Sequence, residues 1–195
     1  MISNELVFFN ESEARTVDAI AARIIPGDDT DPGAREAGAV VYIDRALAGA
    51  YGDFEKLYRR GLWELDHYCR AKHGGPFVEL DEEHQDEVLS HIDAATESQL
   101  PTQLQIGAGE RQAVDLGPGV LAEFFAAVRQ HTIEGTFCDP AYGGNRDAVG
   151  WRLLGFPGAQ WGYSDEQMRL GFDATTIPVK TLKELRGERR SDGDR

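Results

Sequence analysis

Apolar residues between positions 11 and 137 recur at the spacing of helix faces. The clearest helix is predicted over residues 11–25, where Asn10 and Glu13 form a capping box and Pro26 ends the helix. Further helices are predicted over residues 34–47 and about 53–71, from residue 81, and after Gly117, where Pro118 lies in the first turn and the inner face extends to Thr132. No run alternates apolar and polar residues with a period of two, so we predict an all-α, irregular domain of about five to six helices.

A long segment near the carboxyl end, residues 137–163, has neither a helical nor a strand period. It holds six glycines and two of the three tryptophans, and its four charges sum to zero. We therefore predict a long loop rich in glycine and aromatic residues, because disordered stretches are poor in aromatics. Residues 1–179 are predicted to form one helical domain, and residues 180–195 a polar tail that starts as a frayed helix and is flexible.

Three interpretations of the glycine- and aromatic-rich segment stay open: it closes its own core, it docks on another chain, or it binds a small molecule. Tyr142, Trp151, Phe156 and Trp161 resemble the rigid aromatic anchors that dominate protein interfaces. The predicted partner-binding residues are Cys138, Asp139, Pro140, Tyr142, Gly143, Gly144, Asn145, Gly150, Trp151, Phe156, Pro157, Gly158 and Trp161.

The composition narrows the classes of partner. Lys and Arg number 20 against 34 Asp and Glu, which gives a net charge of −14. This balance argues against nucleic acid and against an anionic membrane surface, and no apolar run is long enough for direct membrane insertion. Because no export signal is visible, we expect a cytoplasmic protein, with export to the periplasm together with a partner as the alternative.

The sequence lacks the common motifs by which an enzyme binds a nucleotide cofactor or a catalytic metal. It contains no Gly-x-Gly-x-x-Gly fingerprint, no P-loop and no His-Glu-x-x-His, so no catalytic residue and no cofactor are predicted in this chain. His84 and His91 are expected to be surface residues rather than metal ligands, and the acidic turn at 28–33 a solvated loop rather than a calcium site. Cys138 is either an inert thiol, half of an intersubunit disulfide or, least in keeping with its neighbours, a nucleophile.

Two blocks carry a resemblance to a known family. The stretch HTIEGTFCDPAYGGNRDAVGWRLLGFPG, residues 131–158, resembles the signature of the gluconate 2-dehydrogenase subunit 3 family. The stretch IIPGDDTDPGAREAG, residues 24–38, is similar to the other recurring block of that family. The similarity extends over roughly residues 8–163.

The resemblance implies a small, largely helical accessory subunit that forms a heterodimer with a large FAD-dependent oxidoreductase subunit of the glucose–methanol–choline type. In such complexes the large subunit holds FAD and oxidises a sugar, a sugar acid or a polyol, and some complexes add a cytochrome c subunit. The small subunit carries no cofactor and acts like a chaperone in the folding and export of its partner. The alternatives are a free-standing helical adaptor or regulatory protein with a partner that is not a dehydrogenase, and an enzyme in its own right.

Overall fold

The computed structural model describes residues 6–98 and 119–192, and this part of the chain contains eight helices and no strand. The all-α prediction is therefore confirmed. The helices are α1 (Glu11–Ile24), α2 (Ala34–Ala37), α3 (Ala39–Leu47), α4 (Glu55–His73), α5 (Glu82–Ser98), α6 (Gly119–Phe137), α7 (Val149–Leu154) and α8 (Leu182–Asp192). None of the helices described is long and apolar enough to span a bilayer.

The boundaries of the first helices follow from local chemistry. The Glu13 amide donates to Asn10 Oδ1 at 2.9 Å and the Asn10 amide to Glu13 Oε2 at 3.0 Å, so the predicted capping box forms. The prediction of a single helix over residues 34–47 is wrong. Gly38 adopts a left-handed conformation with a φ of 70° and separates α2 from α3.

The centre of the domain is α6, which contacts α1 to α5 and α7. Phe124 of α6 packs directly over Gly61 of α4, where a β-carbon would lie 2.1 Å from the phenylalanine ring. Glycine at this position therefore lets the two helices approach closely. The core around α6 consists of side chains such as Val17, Ile20, Ile43, Leu47, Tyr58, Leu65, Val88 and Val128.

Polar contacts connect the outer elements to this core. The fully buried Asp44 carboxylate accepts the backbone N–H groups of residues 7–9 at 2.6 to 2.9 Å, which holds the chain before α1 against α3. Arg23 of α1 forms ion pairs with Glu82 and Asp86 of α5, both at 2.8 Å or less. Residues 6–98 and 119–137 are thus held in one compact helical body.

The segment predicted to lack any period has more local structure than expected. It contains α7 and two single 3₁₀ turns, at Pro140–Tyr142 and Arg146–Ala148. Farther along, Leu185 of α8 is buried, so the first part of the polar region 180–195 packs on the domain. Short elements of this kind have too few residues to show a period in the sequence.

Candidate docking surface

Residues 138–158 form most of the glycine- and aromatic-rich segment 137–163, and we call them the signature segment. The signature segment is organised around one buried asparagine. Asn145 is fully buried and has a φ of 43°. Its side chain donates to the Cys138 carbonyl at 2.7 Å and accepts from the Gly150 amide at 2.8 Å. Its own amide donates to the Gly135 carbonyl of α6 at 2.7 Å. Because asparagine tolerates positive φ, this residue type suits both the turn and the hydrogen bonds.

Two glycines let the signature segment lie directly on the backbone of α6. A β-carbon at Gly144 would come within 2.1 Å of the Gly135 carbonyl oxygen, and one at Gly150 within 2.2 Å of the Thr136 carbonyl oxygen. Both contacts are with backbone atoms of α6, which cannot move aside as the end of a flexible side chain can. Glycine is therefore required at both positions for close packing rather than for chemistry.

Asp139 joins the signature segment to the C-terminal helix. Its Oδ1 accepts the Ala141 amide and caps the turn that follows, while its Oδ2 accepts the Leu182 amide at the start of α8, each at 2.8 Å. A second connection pairs the backbones of Gly158 and Lys180 in a parallel bridge. The C-terminal region thus holds the end of the signature segment in place.

Trp151 does not lie on the surface, contrary to its predicted role as an interface anchor. Its side chain is only 6% exposed, and its indole N–H donates to the Phe137 carbonyl at 2.7 Å. Phe156 packs edge-on against the indole, with ring centroids 5.4 Å apart. The sequence cannot tell an inward from an outward tryptophan here, because no period marks the faces of this segment. In the folded chain Trp151 supports the segment from inside.

The structure divides the predicted partner-binding residues into two groups. Tyr142, Phe156 and Trp161 are exposed, with relative exposures of 59%, 44% and 63%. The remaining ones are buried (Asp139, Gly144, Asn145, Gly150, Trp151, Pro157 and Gly158) or half-buried (Cys138, Pro140 and Gly143). The interpretation that the segment closes its own core thus holds for its inner residues, while docking stays a prediction for the exposed ones.

Exposed large hydrophobic side chains are concentrated in the same stretch of the sequence as these aromatics. Of the twelve in the described part of the chain, eight come from residues 142–170. We call these eight the exposed apolar set: Tyr142, Leu153, Leu154, Phe156, Trp161, Tyr163, Met168 and Leu170. A stretch of chain that exposes many large apolar side chains is a candidate for contact with another chain.

The predicted partner-binding residues do not include five members of this set, namely Leu153, Leu154, Tyr163, Met168 and Leu170. Leu153 and Leu154 were visible as an apolar pair beside Trp151, but on a helix of six residues the inward position cannot be told from the outward one. Met168 and Leu170 lie beyond residue 163, where the aromatic composition no longer marked the segment.

Cys138 is a poor candidate for covalent catalysis. Its thiol is half-buried, with the sulfur 3.7 Å from the Gly135 carbonyl oxygen. Burial raises the pKa of the thiol to about 11. The group is therefore protonated near neutral pH and weakly nucleophilic. The raised pKa favours the interpretation of Cys138 as an inert thiol. A disulfide between Cys138 and a cysteine of another subunit stays a prediction.

His131 and Glu134 of α6 form a partly buried cluster with Tyr42, Tyr51 and Tyr58. Tyr58 Oη lies 2.9 Å from His131 Nδ1, and the Tyr51 ring stacks on the imidazole with centroids 4.6 Å apart. Burial lowers the pKa of His131. Burial alone would raise the pKa of Glu134, but the hydrogen bonds it accepts, among them those from Tyr42 and Tyr51, outweigh this effect and lower it. The cluster satisfies its own polar groups inside the bundle.

Within the described residues, no group of three or more His, Cys, Asp or Glu side chains is placed to hold a metal ion. His84 bonds to Asp81 at 2.6 Å, whereas His91 stacks on Tyr68, so the two predicted surface histidines have separate surroundings. In the acidic turn, hydrogen bonds from the Thr30 side chain and from nearby backbone amides lower the pKa of Asp28 to about 2. These contacts account for the turn without a cation.

A cleft beside the signature segment is too small for a cofactor-sized ligand. It measures about 160 Å³ and is lined by Phe156, Ile177 and neighbouring side chains. Typical ligand sites occupy about 300–1,000 Å³. A larger cleft of about 500 Å³ lies elsewhere, on α4, and is lined mainly by charged side chains around Trp63. The described cleft beside the signature segment is therefore smaller than such sites.

Comparison with known proteins gives one finding. A family model described as gluconate 2-dehydrogenase subunit 3 matches residues 11–158. No curated protein and no solved structure matches the chain. The matched range covers most of the chain and ends at Gly158, the last residue of the signature segment.

Proposed function

The chain belongs to the gluconate 2-dehydrogenase subunit 3 family, and on this premise we propose that it is the non-catalytic small subunit of a heteromeric FAD-dependent dehydrogenase. Its partner in this proposal is the large flavoprotein subunit, which holds FAD and oxidises a sugar, a sugar acid or a polyol. The chain binds that subunit and stabilises its folded state.

The observation that carries the proposal is the pair of exposed aromatic side chains, Tyr142 and Phe156, that the signature segment presents. Asn145, Gly144 and Trp151 hold the signature segment on α6 from inside, so Tyr142 and Phe156 are presented in a fixed geometry. Aromatic side chains that are already ordered lose little conformational entropy on binding. This arrangement is suited to an interface and offers no site for bond-making.

Stabilisation of the large subunit follows from mass action. A protein that binds only the native form of its partner shifts the folding equilibrium toward that form. At a concentration 100 times the dissociation constant this effect amounts to about 2.7 kcal/mol. For a large flavoprotein of marginal stability, such a contribution decides whether it accumulates folded with its flavin.

The polar residues of the chain support a role outside the chemical step. His131 and Glu134 are engaged with tyrosines inside the helical bundle, and the Cys138 thiol is protonated. In this proposal FAD belongs to the partner, and a cytochrome c subunit, where the complex has one, contacts the assembly as a further chain.

Co-expression tests the proposal. The large FAD-binding subunit is first identified as the polypeptide that co-purifies with this chain. It is then produced alone and together with the chain, and soluble protein and flavin absorbance are measured. We expect the large subunit alone to be aggregated or poor in flavin, and the pair to yield a soluble, flavin-loaded complex. A fully active, flavin-loaded large subunit made without this chain would refute the stabilising role.

A further inference from the structure

Residues 161–173, which we call the arm, extend from the body of the protein beyond the part that the family model matches. Nearly all of the arm is exposed. A β-carbon at Gly162 or at Gly171 would find no atom within 4 Å, so open space surrounds the backbone near both ends of the arm. The role of the arm must be argued from its own geometry, because the family match ends at residue 158.

The base of the arm is clamped from both sides. The Ala159 amide donates to the Lys180 carbonyl at 2.7 Å, and the Lys180 amide to the Pro157 carbonyl at 3.1 Å. The Gln160 side-chain amide adds bonds to the Pro157 and Pro178 carbonyls at 2.9 and 3.1 Å. The two ends of the arm therefore start from one fixed point beside Phe156.

The arm has local order of its own. The Ser164 amide donates to the Gln167 side chain at 2.8 Å, and the Met168 amide to the Ser164 carbonyl at 3.0 Å. The turn that results presents Met168 and Leu170 outward, with relative exposures of 65% and 106%. Burial of such exposed apolar side chains under another surface lowers the free energy of the resulting complex.

From this geometry we infer that the arm is a second contact with the large flavoprotein subunit, separate from Tyr142 and Phe156, and that it reaches across the partner's surface. The inference rests on the proposed function. A second copy of this chain is the less favourable occupant, because two chains that each carry a net charge of −14 repel each other. The base of the arm also continues directly from Phe156 of the exposed apolar set.

Photo-crosslinking in the intact complex tests this contact. A benzophenone amino acid is introduced at position 170 of the arm, and in a control chain at position 7, because Val7 is another exposed aliphatic residue at 71% exposure. Both chains are co-expressed with the large subunit and irradiated. We expect position 170 to crosslink to the FAD-binding polypeptide and position 7 to do so at least about tenfold less.

Competition supplies a second measurement. The purified complex, which contains a tagged copy of the parent chain, is mixed with an untagged chain that carries Met168→Ser and Leu170→Ser. The control is an untagged chain that carries Val7→Ser. We expect the arm variant to need a concentration at least about tenfold higher than the control to displace the same fraction of parent chain. The exposed positions leave the fold intact, which circular dichroism checks.

Each outcome is decisive. A complex that forms normally while position 170 crosslinks to nothing, or only to a second copy of this chain, overturns the inference and leaves the proposed function standing. Equal competition by the two variants does the same. A purified complex without any flavoprotein overturns the proposed function, and this inference with it.

Discussion

At the scale of single residues, the signature segment separates into side chains that build it and side chains that it presents. Asn145 and Trp151 make hydrogen bonds inside the protein, whereas Tyr142 and Phe156 are exposed to solvent. The motif that identifies the family is thus in large part a packing motif. Substitutions in the two groups should have different effects, one on stability and the other on assembly.

A pair of glycine substitutions tests the packing role. We expect Gly144→Ala to lower the free energy of unfolding by roughly 3 kcal/mol, because its β-carbon would collide with the Gly135 carbonyl oxygen. Gly162→Ala is the control, since a β-carbon there meets nothing within 4 Å. Urea denaturation measures both changes. Equal stability of the two variants would contradict the close approach to α6.

Sequence reasoning reached part of this residue-level picture. Proline followed by glycine at positions 157 and 158 predicts a type II turn, which requires a positive φ at the glycine. Gly158 has a φ of 74°. The close approach of Gly144 to Gly135 could not be predicted, because it depends on how a loop folds back on a helix nine residues earlier. The inward direction of Trp151 has the same origin.

At the scale of elements, α6 organises the molecule because both its sides are covered. The helices before it pack on one another around α6, and the signature segment packs on its last turn through Gly135 and Thr136. Helical periodicity predicted the long helices well. It failed at Gly38, where a single left-handed residue separates two helices, and at α7, which is too short to show a period.

The contact between the signature segment and α8 gives a prediction at this scale. We expect Asp139→Ala to destabilise the protein by about 1–2 kcal/mol, because the Ala141 and Leu182 amides both lose their acceptor. Asp173→Ala is the matched control, since Asp173 caps a similar 3₁₀ turn in an exposed position. Hydrogen exchange should show faster exchange at Leu182 and Ala159 in the first variant only.

The partly buried cluster on α6 predicts a pH dependence of stability. Burial holds the pKa of His131 below its ordinary 6.5, so the unfolded chain binds the proton more tightly than the folded one. Stability is therefore lost as the pH falls below about 6.5, at up to about 1.4 kcal/mol per pH unit from this group.

Replacement of the histidine isolates this contribution. His131→Gln keeps a partner for Tyr58 and removes the titrating group. The free energy of unfolding, measured near pH 7.5 and near pH 5.5, should fall less for this variant than for the parent, by about 1 kcal/mol. Parent and variant curves that stay parallel over this range would show that His131 does not titrate as a buried group.

At the scale of the whole molecule, a helical body is joined to one stretch of chain, residues 142–170, that exposes many large apolar side chains. A net charge of −14 disfavours association between copies, and eight of twelve exposed large hydrophobic side chains in the described residues lie between positions 142 and 170. These two features together are typical of a subunit that associates with a different chain rather than with itself.

Competition for the large flavoprotein subunit tests the central claim most directly. Tagged parent complex is challenged with Tyr142→Ala/Phe156→Ala chain, and with Val7→Ala/Trp63→Ala chain, whose substituted residues are also exposed. If the exposed apolar set binds the large subunit, the first chain should compete roughly 30-fold or more weakly, a loss of about 2 kcal/mol. Equal displacement by both chains would contradict the account.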